Sequence, residues 1–244
     1  MVAKILVNYQ FYGRQNMDKK TALLCARISH AAYTKGFDMK DFKLLGRFEN
    51  AGTDTQGIFG VTYGDTLVLA YRGSEETGIN DWIQDLKFIP ADYPYGDGNS
   101  AIKVHSGFIS AYNSVREAMV KVAKESSHKK VLCTGHSLGG ALATLSAGDV
   151  KYNVPGKEVS VYTFGSPKVG NSDYVKFYNK LVPQTFRFVN GVDIVPSLPP
   201  DIPLLVDYEH VGQLHHIGDL QASQVSADAG LCHLPQNYCK LLEV

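Results

Sequence analysis

The chain has 244 residues, 44% of them hydrophobic and 20% charged, which suits one sizeable domain with a well-buried core. Its 24 basic residues balance 24 acidic ones, so the formal net charge is zero. That balance provides no basic field for holding nucleic acid, and it suits a neutral, apolar substrate.

The first twenty residues, MVAKILVNYQFYGRQNMDKK, lack the apolar region and small-residue cleavage site of a signal peptide. No later apolar run is long enough to span a bilayer. The expectation is a cytoplasmic protein, or a mature secreted form without its leader. Residues 18–35 read as a helix that starts near Asp18 and ends at Gly36. Residues 58–72 hold two β runs split by the turn signal Tyr63-Gly64-Asp65. In residues 107–126, Phe108, Tyr112, Val115, Met119 and Val122 recur at helical spacing.

From there, β-like runs alternate with helical ones. Val131-Leu132-Cys133 precedes an alanine- and leucine-rich helix at 138–150. Val159–Phe164 precedes a helix at 171–181, and Thr185–Val189 is β-like again. This order implies a mostly parallel sheet with helices on both faces and right-handed crossovers, in a single domain over residues 1–244. From Leu204 the pattern suggests a β-hairpin and then a short helix at 234–241.

The four cysteines are Cys25, Cys133, Cys232 and Cys239. On one helix, seven residues would hold the last two about 10 Å apart, too far for a disulfide. Four free thiols are expected. No Cys/His cluster has zinc spacing, so no metal is expected, and no cofactor.

The chemistry centres on Gly135-His136-Ser137-Leu138-Gly139. A β run leads into it and an alanine-rich helix leads out. That is the strand–turn–helix context in which Gly-x-Ser-x-Gly exposes a nucleophilic serine. Bulk two residues either side of Ser137 would collide across so tight a turn, and both positions are glycine. A serine hydroxyl needs a base, and the base an orienting acid. Asp193 fits the acid: it follows the run TFRFV and the turn Asn190-Gly191, just past a strand end. Four histidines follow it: His210, His215, His216 and His233. His233 opens the expected terminal helix after a small, polar stretch and is the chosen base. His210, in a β-like segment, is its main rival.

Several segments resemble the class 3 lipases, the fungal triacylglycerol lipase-like branch of the α/β hydrolases. They are AYRGS at 70–74, NDWIQDLKF at 80–88, KVHSGFISAY at 103–112, TGHSLGGALA at 134–143 and TFGSPKVGN at 163–171. The resemblance implies an α/β-hydrolase fold with a lid over the active site. It also implies an oxyanion hole from the backbone amides of Ser74 and Leu138, with Asp85 helping to hold Ser74. Ile79, Trp82 and Ile83 share one helical face, and the resemblance makes that face a lid over an acyl pocket.

The function so implied is hydrolysis of a lipid or other acyl ester, most simply by a triacylglycerol lipase or related esterase. A phospholipase or feruloyl esterase would use the same machinery. A catalytically silent hydrolase fold used for binding is the reading from another class. The sequence sets no oligomeric state.

Overall fold

Strands β3 (Thr66–Tyr71) and β6 (Lys130–His136) explain why a sheet forms with both faces covered. On β3, Leu67, Leu69 and Tyr71 enter one apolar cluster and Val68 and Ala70 enter the other. On β6, Val131 and Cys133 face one way and Leu132 the other. Such runs, apolar on both faces, belong to parallel strands sandwiched between helices. The computed structural model describes residues 16–62, 64–74, 89–96, 98–200, 207–218 and 229–243.

Among these residues the elements begin with α1 (Lys19–Ala31), β1 (Phe42–Asn50), β2 (Thr55–Thr62) and β3. Then come β4 (Pro90–Asp92), β5 (Lys103–His105), α2 (Ser106–Glu125), β6 and α3 (Leu138–Asn153). β7 (Glu158–Phe164), β8 (Gly170–Asn171), α4 (Ser172–Leu181) and β9 (Thr185–Asn190) follow. β10 (Tyr208–Glu209), β11 (Gln213–Ile217), α5 (Ala229–His233) and α6 (Pro235–Leu242) complete them.

The main sheet has the order β1-β2-β3-β6-β7-β9-β11. It is antiparallel from β1 to β3 and parallel from β3 onward. Helices α2, α3 and α4 contribute to one cluster, and α1 and α6 to the other. This is an α/β-hydrolase architecture. β4, β5, β8 and β10 form a separate four-stranded sheet.

Several boundaries differ from the sequence reading. Helix α1 stops at Ala31, with Asp18 capping its start by accepting from the amides of Lys20 and Thr21. Strand β1 is additional; a register shift between Leu44 and Gly46 interrupts its alternation. Among the described residues after Leu204, the two strands do not pair with each other as the expected hairpin. β10 pairs with β8, whereas β11 runs parallel to β9. His233 closes α5 instead of opening the last helix, because Leu234 precedes a proline and is extended. Cys232 and Cys239 therefore lie on different helices, and all four cysteines are free.

Candidate active site

Four parallel strands deliver their carboxyl ends to one edge of the sheet, where sites form in open α/β folds. β3 leads to Ser74, β6 to Ser137, β7 to Gly165 and β9 to Asp193. A cleft of about 560 Å³ at the opposite edge is lined by Thr66, Lys130 and Glu158, where strands begin. It is larger, but it lies at the wrong end of the sheet for this chemistry.

Ser137 occupies the turn between β6 and α3 with φ 57° and ψ −131°. A non-glycine residue there carries strain of about 1–3 kcal/mol, so the surroundings must enforce it. They do: the Ser137 amide donates to the Phe164 carbonyl at 2.9 Å, and the Ser137 carbonyl accepts from Gly140 N–H at 2.9 Å. The glycines are forced by contact. A Cβ on Gly135 would lie 2.1 Å from the Gly139 carbonyl oxygen, and one on Gly139 would lie 2.1 Å from that of Tyr71. A Cβ on Gly140 would meet Ser166 at 2.7 Å. The amide of Leu138 opens α3, among the N–H groups that no helical turn satisfies.

Asp193 follows the turn at Asn190-Gly191, where Gly191 takes φ 49°. Its carboxylate accepts from His233 Nδ1 at 2.9 and 2.8 Å. It also accepts from the Val195 amide at 2.9 Å and from the Tyr238 hydroxyl at 2.5 Å. Tyr238 in turn accepts from the Asn190 amide at 3.1 Å. The carboxylate is thus fixed in orientation, and it fixes the imidazole. With Nδ1 carrying the proton, Nε2 of His233 is left as an acceptor. His233 Nε2 and Ser137 Oγ are both buried and make no hydrogen bond among the described residues. Gly165, with φ 57°, backs the pair: a Cβ there would sit 2.7 Å from Asp193 Oδ2 and 2.9 Å from His233 Cε1.

His210 lies elsewhere. Its Nε2 hydrogen-bonds the Pro196 carbonyl at 2.6 Å. Burial, then the charges of Arg187 and Lys168, push its pKa down to about 3. His215 stacks on Phe188, and His216 is exposed.

Ser74 and Leu138 line one cavity of about 330 Å³, together with Gly73, His105, Phe108 and Ala111. His105 caps α2 through Nδ1, which accepts from the amides of Gly107 and Phe108. Ile79, Trp82, Ile83 and Asp85 lie outside the described residues. No group of three or more potential metal ligands clusters among the described residues.

Sequence reasoning missed Tyr238, Gly165, Tyr33 and the part taken by His136. In the sequence, His136 is only the variable residue of the elbow. Tyr238 is one of 14 tyrosines and carries no local signal. Gly165 lay in plain view in the strand–turn segment TFGSP.

This geometry has close parallels. The lipase of Rhizomucor miehei is 35% identical over 190 residues, 74% of this chain and 50% of that protein. The secreted mono- and diacylglycerol lipase A of Penicillium cyclopium is 31% identical over 210 residues, 83% of this chain and 62% of that one. The chain thus spans half the length of the first relative and less than two thirds of the second. A solved triacylglycerol lipase, described as having a serine protease triad as its catalytic centre, superimposes with a TM-score of 0.70. It is 30% identical, over 82% of this chain and 79% of that one. The family described as Lipase (class 3) matches residues 68–202. That stretch carries the ends of β3, β6, β7 and β9 on which the site is built, and by this match the chain belongs to the class 3 lipase family.

Proposed function

We propose that the protein is a serine carboxylic ester hydrolase, a triacylglycerol lipase or lipase-like esterase acting on lipid or related acyl esters. One observation carries the reading: Asp193 holds His233 through Nδ1, the His233 ring lies beside that of His136, the neighbour of Ser137, and neither His233 Nε2 nor the buried Ser137 hydroxyl has a hydrogen-bond partner among the described residues. Ser137 Oγ attacks the ester carbonyl as His233 Nε2 takes its proton. Asp193 steadies the imidazolium that results. The amides of Ser74 and Leu138 receive the oxyanion, and each such donor is typically worth about 3–4 kcal/mol in the transition state. His233 then protonates the departing alcohol, and water releases the acid by the same steps in reverse. No cofactor is needed. The names of the relatives support a glyceride substrate.

The cavity beside Ser74 and Leu138, about 330 Å³, is at the small end for ligand sites. If it receives the acyl chain, short and medium chains fit it best. The test is turnover of p-nitrophenyl acetate, butyrate, octanoate and palmitate, and of emulsified tributyrin. Butyrate or octanoate should be the best of the series. Ser137→Ala should lose at least about a thousandfold in kcat. Wild-type turnover that survives Ser137→Ala would overturn the assignment.

A further inference from the structure

His136 precedes the nucleophile and is 2% exposed, too deep to meet substrate. Its Nδ1 lies 2.9 Å from the Tyr33 hydroxyl, and its Nε2 lies 2.5 Å from the backbone carbonyl oxygen of His233. The Tyr33 hydroxyl is also 3.1 Å from the Gly73 amide. Burial, reinforced by nearby His233, holds the His136 pKa well below its ordinary value, so the ring is neutral with one N–H. A carbonyl oxygen can only accept, so that proton is on Nε2. Nδ1 must then accept, and Tyr33 must donate to it. A lone pair of Tyr33 takes the Gly73 N–H. One proton arrangement satisfies all three of these contacts.

This chain of bonds joins two segments that the reaction must keep in register. Gly73 immediately precedes Ser74 and is pressed into place. A Cβ there would lie 2.4 Å from the Tyr33 hydroxyl, 2.6 Å from the His136 carbonyl and 3.0 Å from Ser137 Cβ. His233 sits on a five-residue helix, too short to hold a base rigidly by itself. Its backbone is tied at two successive carbonyls: Cys232 accepts from Asn190 Nδ2 at 2.8 Å, and His233 accepts from His136. The rings of His136 and His233 are 4.5 Å apart between centroids, so a charged His136 would oppose the cation that forms on His233.

We propose that Tyr33 and His136 are positioning residues, a relay of fixed tautomer that holds the oxyanion segment at Gly73-Ser74 and the base His233 in mutual register. The proposal rests on the hydrolase reading above.

It is tested with Tyr33→Phe, His136→Gln and His136→Leu, each checked for folding by circular dichroism and thermal melting. Tyr33→Phe keeps the ring and removes only the hydroxyl. Glutamine can return a donor at the place of Nε2; leucine cannot. Loss of register by even 1 Å costs about a hundredfold, so kcat on p-nitrophenyl butyrate should fall about ten- to a hundredfold in Tyr33→Phe and His136→Leu. KM should change little, and His136→Gln should recover a clear part of kcat. The double variant Tyr33→Phe/His136→Leu should lose no more than the worse single one, since both break the same relay. Nitrogen NMR of the wild type should find neutral His136 protonated at Nε2. A purely packing role predicts melting losses ranked by side-chain volume, with kcat per folded molecule unchanged. The proposal is overturned if Tyr33→Phe keeps kcat within twofold, or if glutamine and leucine at position 136 behave alike. An inactive wild type would instead overturn the hydrolase reading itself. If the position 136 variants do not fold, Tyr33→Phe and the tautomer decide the matter.

Discussion

Arg187 offers a quantitative test of how the sheet behind the site is balanced. It lies in β9, opposite Thr163 of β7 on one side and Leu214 of β11 on the other. It is 8% exposed, and its Nε has no hydrogen-bond partner among the described residues. Burial alone brings its pKa from an ordinary 12.5 down to about 10. Each pH unit is worth about 1.4 kcal/mol, so burying this charge costs the folded state about 3 kcal/mol. The folded value lies below the free one. The penalty is therefore full at neutral pH and fades only as pH rises above about 10. Arg187→Met keeps the aliphatic stem and removes the charge, and should stabilise the fold by about 1–3 kcal/mol. For a chain of this size, each kcal/mol gained raises Tm by about 2–4 °C. Leu214→Glu should act in the same direction by placing a carboxylate on the neighbouring strand, at a position now 45% exposed. Urea unfolding at pH 7 measures both, with an unchanged m-value confirming that the transition is comparable. Destabilisation of Arg187→Met by about 1 kcal/mol or more would refute this, since it would mean the guanidinium has a compensating partner.

Two further perturbations separate stability from chemistry. Asp149 is fully buried, but it accepts from the Tyr112 hydroxyl at 2.6 Å and from Asn153 Nδ2 at 2.5 Å, and it pairs with Arg116 at 2.7 Å. Asp149→Leu should cost about 3 kcal/mol in urea unfolding while leaving kcat per folded molecule unchanged, the opposite of the Arg187 result. Gly165→Ala should reduce kcat about a hundredfold or more, because its Cβ would lie 2.7 Å from Asp193 Oδ2 in a backbone already at φ 57°. Normal turnover of p-nitrophenyl butyrate by that variant would contradict the rigid backing of Asp193 and His233.

What the sequence conveyed followed from where its signals are local. The elbow needs glycines at fixed offsets from Ser137, and their steric reason reappears in the 2.1 Å contacts that a Cβ would make. β2, β3, β6, β7 and β9 read clearly because their apolar runs are bounded by turns and helices, whereas β4, β5 and β8 are two or three residues long and carry no such run. β1 did not, because the register shift between Leu44 and Gly46 breaks its period of two and leaves Leu45 half exposed. β10 has two residues and β11 five, and both pair with strands distant in sequence, so local hairpin logic misassigned them. Pro235 signals the break in the sequence itself, because the residue before a proline is driven out of the helical region and Leu234 is extended. Tyr33, Tyr238 and His136 act through contacts across 40 to 103 positions in the chain, and no local pattern encodes those meetings.

The most direct test of the central claim is covalent labelling by a fluorophosphonate, with the modified residue mapped by mass spectrometry. It should be run on the wild type, Ser137→Ala, His233→Ala and His210→Ala. The account predicts a single label on Ser137, present in the wild type and in His210→Ala, and lost or strongly slowed in His233→Ala. A label elsewhere, no label on folded wild type, or rapid labelling of His233→Ala with none in His210→Ala would contradict it.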